Sequence, residues 1–181
     1  MPKIYDYGDP DVVWSAGAFS RGLPSNITLR GKGSKDCQNL SSVVSLEFAP
    51  SCCLLLTRAL CQQVKFDAEY FFYFDDWDFC RQARKSGFNI IFAPEAHLWH
   101  KVSRSTQNSP KSLRWWRVLG QSCVRYHRKY HSLPVLAAYV IWVCARETVK
   151  GNGRSLPVFL SGIYLGLRAR TIADTRPDWR T

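Results

Sequence analysis

Between residues 66 and 100 the apolar and polar positions fall into blocks that predict a helix followed by a strand. The aromatic run Tyr70-Phe71-Phe72-Tyr73-Phe74 gives way to Asp75-Asp76-Trp77-Asp78-Phe79-Cys80, and the pattern reads as a short helix from Asp75 to Ser86. Acids fill its first turn, Arg81, Arg84 and Lys85 lie toward its end, and Gly87 is the expected stop. This order matches side-chain charge to the helix dipole at both ends. With about 3.6 residues per turn, Asp76, Phe79, Cys80 and Ala83 share one face, while Asp78 points roughly the opposite way, toward Arg81 and Gln82. Phe88 to Ala93, bounded by Gly87 and Pro94, predicts a compact strand. Helix and strand together form an α-to-β unit of the kind that builds open layered folds.

Farther along, two apolar runs, Leu133 to Ala145 and Leu156 to Leu167, each carry a proline near the start and are joined by Lys150-Gly151-Asn152-Gly153-Arg154. They are expected to be two helices. Each is shorter than the roughly 18–20 residues needed to span a bilayer.

A carboxylate directly after apolar residues must be hydrated, paired or at work. Asp76 leads the predicted buried stripe, close to the free N–H groups of a first helical turn, which favour its ionised form. That is suitable housing for a general base. Either Asp75 or Asp76 serves equally as a helix N-cap, and the two roles are compatible. His97 and His100 follow the strand, and in an extended segment they point to opposite faces, so they do not ligate one metal together. No His-x-x-x-His or Cys-x-x-Cys spacing accompanies them. Gly31-Lys32-Gly33-Ser34-Lys35 lacks phosphate-loop spacing and reads as a turn.

Charge divides the chain. Residues 1–100 hold 10 Lys/Arg and 11 Asp/Glu, whereas residues 101–181 hold 15 and 3. The cationic part includes Arg114-Trp115-Trp116-Arg117 and Arg125-Tyr126-His127-Arg128-Lys129-Tyr130-His131. Basic, Trp-rich flanks beside short apolar helices suit the membrane interface, where cations meet anionic headgroups and indoles sit at the boundary. A soluble helical pair with solvated cations is the alternative. Nucleic-acid binding, which a pI near 9.6 invites, is disfavoured because the cations are interleaved with long aliphatic runs. The seven cysteines are odd in number and scattered, so a disulfide framework is not expected. The first residues lack the apolar core of a signal peptide, which places the protein, on this reading, in the cytoplasm, peripheral at the inner face of the membrane.

Several ordered segments carry a resemblance: Glu47-Phe48-Ala49-Pro50-Ser51-Cys52-Cys53-Leu54-Leu55-Leu56-Thr57-Arg58, Phe66-Asp67, Tyr73-Phe74-Asp75-Asp76-Trp77-Asp78, Gly87-Phe88 and Pro94-Glu95-Ala96. The series resembles the second half of family 2 glycosyltransferases, above all the bacterial rhamnosyltransferase and galactofuranosyltransferase branch. Trp14-Ser15-Ala16-Gly17-Ala18 and Gly31 to Asp36 look like that family's middle region, so the likeness covers residues 5 to 131. It implies a partial GT-A-like (Rossmann-like) α/β sheet with helices over residues 1–131, an apolar and basic helical pair over 132–170, and a polar tail over 171–181.

The resemblance also implies roles. The second acid of the pair, Asp76, falls where the family keeps its base, with Asp75 as its companion. Asp36, Ser51, Cys52, Trp77 and Asp78 fall on the substrate-binding side. His100, ending a Trp-His pair, matches the ligand of a divalent metal, Mn or Mg, while His97 does not. The implied partners are a nucleotide-sugar donor and a saccharide or polyprenyl-linked acceptor, and the implied chemistry is inverting transfer. Three positions depart from the family pattern: Val64-Lys65-Phe66-Asp67-Ala68 lacks a glycine and an acid, Cys52 replaces a usual glycine, and Gln82 a usual arginine. Nothing between the first residue and Trp14 supplies the nucleotide-binding βαβ units or the Asp-x-Asp motif, so the chain reads as a fragment or a divergent short form, with that half either encoded immediately upstream or supplied by a partner chain. The competing reading is a non-catalytic remnant or a membrane-peripheral binding module.

Overall fold

The triplets Lys3-Ile4-Tyr5 and His97-Leu98-Trp99 alternate polar and apolar positions, and they lie side by side as parallel neighbours. In this computed structural model, residues 1–20, 27–36, 40–101 and 113–169 are described. Their contacts divide the chain into two units: Met1–Phe66 with Asp76–Arg104, and Asp67–Asp75 with Ser105–Thr181.

The first unit is mixed α/β, as a partial GT-A-like domain requires. It contains β1 (Pro2–Asp6), β2 (Val13–Ser15), β3 (Ala18–Ser20), β4 (Ile27–Leu29), β5 (Val44–Leu46), α1 (Arg58–Gln63), α2 (Asp75–Lys85, its first residue assigned to the other unit) and β6 (Ile90–His100). The sheet runs β2-β1-β6-β5, parallel only between β1 and β6, and β3 pairs with β4 in a separate antiparallel ribbon. Alternation sets the two faces: Ile4 is fully buried, with Val13 and Phe92, while its neighbours Lys3 and Tyr5 reach toward Asp36 on the other face.

The strand predicted to end at Ala93 continues through Pro94 to His100. A shift in register explains this. Pro2 faces Ala93 but Lys3 faces His97, so Pro94, Glu95 and Ala96 are absorbed in an irregularity that spares the proline a ladder hydrogen bond, and pairing then resumes.

Helix α2 ends as its sequence predicts. Gly87 has φ +84°, its N–H donates to Arg84 O at 3.1 Å, and the Phe88 N–H donates to Ala83 O at 3.0 Å, the paired bonds of a Schellman stop. Phe79 and Ala83 join Leu60 and Val64 in one apolar cluster, and Cys80 joins Ala18, Phe48 and Ala49 in another. Phe66 stacks on Phe79 at 4.1 Å. Asp78 does reach toward Gln82, as the helical phase indicated, but its side chain is also fully buried. The phase argument assumed a single covered stripe, but α2 is enclosed on more than one side, and Asp78 accepts from Gln82 Nε2 at 2.6 Å one turn on.

The second unit holds α3 (Leu113–Tyr130), α4 (Leu133–Val149) and α5 (Leu156–Arg168). The two apolar runs are α4 and α5, each with proline at its first turn. The basic segment before them is α3, whose buried face includes Trp116, Gly120, Cys123, Val124 and His127. The compositional boundary drawn at residue 131 therefore falls inside this unit. Helices α3 and α5 approach closely because glycines line the crossing: a Cβ on Gly162 would sit 2.1 Å from Arg117 O, and one on Gly120 2.5 Å from Phe159 O. Arg128 then donates to Gly166 O and Leu167 O at 3.0 and 2.7 Å, satisfying carbonyls at the α5 terminus.

Among the described residues no helix is long and apolar enough to cross a membrane. Every cysteine among them is a free thiol. The whole polar tail over 171–181 and Cys37 lie outside the described residues.

Candidate active site at the start of helix α2

Asp76 stands in the first turn of α2, half-buried. Its Oδ1 accepts the Trp77 N–H at 2.9 Å, so this carboxylate does take up a first-turn donor while part of it stays open to solvent. Trp77 packs its indole against Phe48, 5.3 Å between ring centroids. That contact and the Cys80 cluster tie the helix start to the segment before Ser51. Cys80 Sγ lies 3.5 Å from Ala49 O and the Ala49 N–H.

The loop Ser51-Cys52-Cys53 is thereby brought to Asp76. Cys52 is exposed as a residue, but the surrounding loop partly desolvates its thiol and pushes it up to about 11, with further contributions from Cys53 and from the Asp76 charge. Burial likewise pushes Cys80 up to about 12, and Asp76 again adds to it. Both thiols therefore stay protonated near neutrality and are poor nucleophiles. Their shared electrostatic neighbour is Asp76, so the carboxylate and Cys52, inferred separately, occupy one neighbourhood. Ser51 lies exposed in the same turn.

An apolar hollow of about 630 Å³ opens nearby, walled by Leu54, Leu56, Phe79, Cys80, Ile90 and Leu98 among others. Asp76 stands outside its wall, but Cys80 links the two. Asp78 is a buried structural acid within α2, held by Gln82.

Asp36 has a different neighbourhood. Lys3 Nζ donates to both of its oxygens at 2.9 and 2.8 Å, and the Tyr5 hydroxyl donates to Oδ2 at 2.6 Å. Lys3 is buried, and the Asp36 carboxylate pairs with it at 2.8 Å. Neither Lys3 nor Tyr5 was picked out from the sequence. The alternation of Lys3-Ile4-Tyr5 was the available signal, but the acid they meet lies in a distant turn.

Both histidines lie in extended β6 and contact different groups, as the spacing predicted. His97 is edge-on to Tyr5 and Trp99 at 6.2 and 5.4 Å, whereas His100 lies against Trp14 at 4.9 Å. Among the described residues no three His, Cys, Asp or Glu side chains gather as cation ligands. The described residues thus do not by themselves complete the metal site that the resemblance implied at His100, and no step below runs through one.

Asp75 belongs to the second unit together with the aromatic segment before it. Tyr73 and Phe74 both have φ +62°, a left-handed backbone that costs bulky residues on the order of 1–3 kcal/mol each. Contacts within that unit hold it. Phe74 is buried, with the Tyr126, His127 and Tyr139 rings 5.2, 6.3 and 6.4 Å away, and Phe72 O accepts from Ser122 Oγ at 2.7 Å. Tyr73 meets the edge of Trp115 at 5.2 Å. Asp67, in the same segment, is bound by Arg125 at 2.8 Å and Lys129 at 3.3 Å.

No curated protein and no solved structure matches this chain. Residues 37–123 match the family model described as glycosyltransferase-like family 2, at the level of the family and not of any branch within it. The matched span contains Ser51, Cys52, the acid pair, α2 and β6. Residues 37–123, just under half of the chain, are therefore similar to glycosyltransferase-like family 2, which supports a glycosyltransferase-like function in general terms.

Proposed function

We propose that this chain supplies the acceptor and catalytic side of an inverting sugar transfer, with Asp76 as general base. Asp76 takes the proton of an acceptor hydroxyl as that oxygen attacks the anomeric carbon of a nucleoside diphosphate-sugar. The bond from that carbon to the diphosphate breaks on the opposite side, and the leaving diphosphate carries away the electron pair. The new glycosidic bond thus has inverted configuration. Asp75 is the companion acid, and Ser51, Cys52 and Trp77 are the acceptor-side surroundings.

The observation that carries this reading is the half-exposed Asp76 carboxylate seated in the first turn of α2, inside the matched span and within electrostatic reach of Cys52. A carboxylate in that setting is accessible to an acceptor and fixed in position by one backbone N–H, which is what proton abstraction requires. Calorimetric titration of the protein with nucleoside diphosphate-sugars, with and without Mn²⁺, tests it together with a transfer assay. Saturable donor binding, and a loss of about a hundredfold to ten-thousandfold in transfer for Asp76→Asn with donor binding retained, support the reading. Silence at millimolar donor even with the nucleotide-binding half supplied favours the non-catalytic binding module, and unchanged turnover in Asp76→Asn removes this residue from the chemistry.

The same proposal extends to where the protein works. Leu133, Ala137, Ile141, Ala145 and Val149 recur at every fourth position of α4 and are all exposed. Leu160, Tyr164 and Leu167 are exposed along α5, and the exposed cations Lys150, Arg154 and Arg168 flank these apolar positions. Apolar side chains bordered by cations complement an anionic bilayer surface, and this supports acceptors presented at a membrane.

A further inference from the structure

On the face of the β1/β6 pair opposite Ile4, a groove of about 440 Å³ is lined by Tyr5, Pro10, Asp11, Lys35, Asp36, His97 and Trp99. Parallel register sets Tyr5 beside Trp99 and Lys3 beside His97, so side chains from strands far apart in sequence share one surface. Tyr5 and Trp99 stack at 5.7 Å with an interplanar angle of 23°. The indole is fixed at its other end, because Trp99 Nε1 donates to Pro10 O at 3.1 Å. Tyr5 is fixed too, through its hydroxyl to Asp36, which Lys3 holds in turn. Burial, that hydrogen bond and the charges of Asp36 and Asp11 push the Tyr5 phenol up to about 12, so it stays protonated at physiological pH.

Trp99 is nonetheless 47% exposed. Tyr5 stacks on the indole, His97 meets it edge-on at 5.4 Å, and the remaining indole surface lines the groove. The Tyr5–Trp99 pair is a cross-strand aromatic contact that stabilises the β1/β6 pairing, and beside it a held aromatic plane remains in contact with water. Such a plane suits a ring that is apolar on its face and polar at its edge. The groove provides that complement: Asp11, Asp36, Lys35 and His97 stand around the aromatic plane. Charges in and beneath the groove balance, Asp11 and Asp36 against Lys35 and Lys3, so nothing there favours a diphosphate.

We infer that the Tyr5–Trp99 groove binds a neutral saccharide ring, the indole stacking on the C–H face of the sugar and Asp11, Lys35 and His97 meeting its hydroxyls. The ring stacks without losing rotamer freedom in the protein, because Pro10 and Asp36 already hold both aromatic side chains. The inference deepens the proposed function by giving the acceptor a contact apart from the base, and it rests on that reading only for the word acceptor. Saccharide binding itself does not require turnover.

The test is a titration of the full ¹⁵N-labelled chain with methyl glucoside, methyl galactoside, methyl mannoside and lactose, read at the indole N–H resonance of Trp99 and, in variants that lack this indole, at the backbone amide resonances of Tyr5, Asp11 and His97. A saturable shift in the millimolar range with at least one of these sugars is expected. Trp99→Ala weakens binding about tenfold or more, and Asp11→Asn weakens it several-fold. Trp99→Phe, which keeps a stacking ring and loses the bond to Pro10, retains part of the affinity and serves if the alanine variant fails to fold. Asp76→Asn binds the sugar as well as the parent does, so unchanged transfer in that variant with this shift retained faults only the catalytic reading, and absence of the shift in the parent faults only the groove. The inference is overturned if none of the four sugars shifts the resonance, if the variants bind unchanged, or if uridine diphosphate alone moves the resonance at lower concentration than any sugar.

Discussion

Gln82 donates from Nε2 to Asp78 Oδ2 at 2.6 Å, one helical turn apart, and the acid it serves is fully buried. A buried carboxylate is tolerated only with hydrogen-bonded company. The residue that departs from the family's usual arginine thus has a definite task in this chain. Gln82→Ala is expected to lower stability by about 1–3 kcal/mol, whereas Gln82→Glu, which sets two carboxylates against each other, costs more. Chemical denaturation reads both. Equal stability of parent and Gln82→Ala would show that Asp78 does not depend on this donor.

The nearness of Asp76 to Cys52 is open to a chemical probe that needs no substrate. Partial desolvation, Cys53 and the Asp76 charge together push the Cys52 thiol up to about 11. Site-resolved mass spectrometry after iodoacetamide treatment should find Cys52 slow at pH 7 and faster as the pH climbs toward that value. Removing the negative charge lowers the thiol's pKa, so Asp76→Asn should speed alkylation of Cys52 at fixed pH. No change would mean that the two side chains do not sense each other.

Crossing of α3 and α5 depends on bare backbone. A methyl group on Gly162 would meet Arg117 O at 2.1 Å, and neither partner is a side-chain end that could swing away. Gly162→Ala is expected to cost about 3 kcal/mol or more. Gly153→Ala, where nothing lies within 4 Å of the new carbon, should stay within about 0.5 kcal/mol of the parent. Thermal melts of the two variants separate them. Similar midpoints would refute the close approach.

Acid should loosen the helical unit through Asp67 and Glu147. Burial alone would raise both carboxyls. For Asp67, hydrogen bonds from Arg125, the Glu69 N–H and Lys129 outweigh it. For Glu147, Asn152, Arg146 and Lys150 do the same, and both acids sit below their ordinary values. A depressed folded pKa contributes stability that is fully present above the unfolded value, about 4 for such groups. It is lost as pH falls through the depressed folded value. The melting temperature should therefore drop as pH is lowered below about 4, and Asp67→Asn should flatten part of that slope while costing about 1–2 kcal/mol at neutral pH. A slope identical to the parent's would exclude Asp67 as a source.

Vesicle partitioning examines the exposed face of α4. Binding to anionic vesicles should exceed binding to neutral ones and weaken as salt is added. Ile141→Glu, at a position 69% exposed, should reduce it without changing the fold. Equal partitioning into neutral and anionic vesicles would leave the cations flanking α4 and α5 without a part in docking.

Local pattern determined much of this molecule. The span and stop of α2, the two proline-started helices α4 and α5, the opposed faces of His97 and His100, and the Asp75–Asp76 pair at a helix start all follow from periodicity, capping and charge order, which act over a few residues. Pattern also gave Gly87 its place, because only a left-handed residue closes that helix. What tertiary structure decided concerns partners from remote segments. Asp78 turned inward because α2 is enclosed on more than one side, and helical phase alone cannot report how many sides are covered. β6 outran Pro94 because its neighbour β1 could accommodate an irregularity. α3 was read as a basic tail, since its charges dominate its composition, yet its buried face exists only where α5 offers glycines to receive it. The Tyr5–Trp99 groove was invisible in the chain for the same reason: each strand carries half of it, and only parallel pairing puts the halves together.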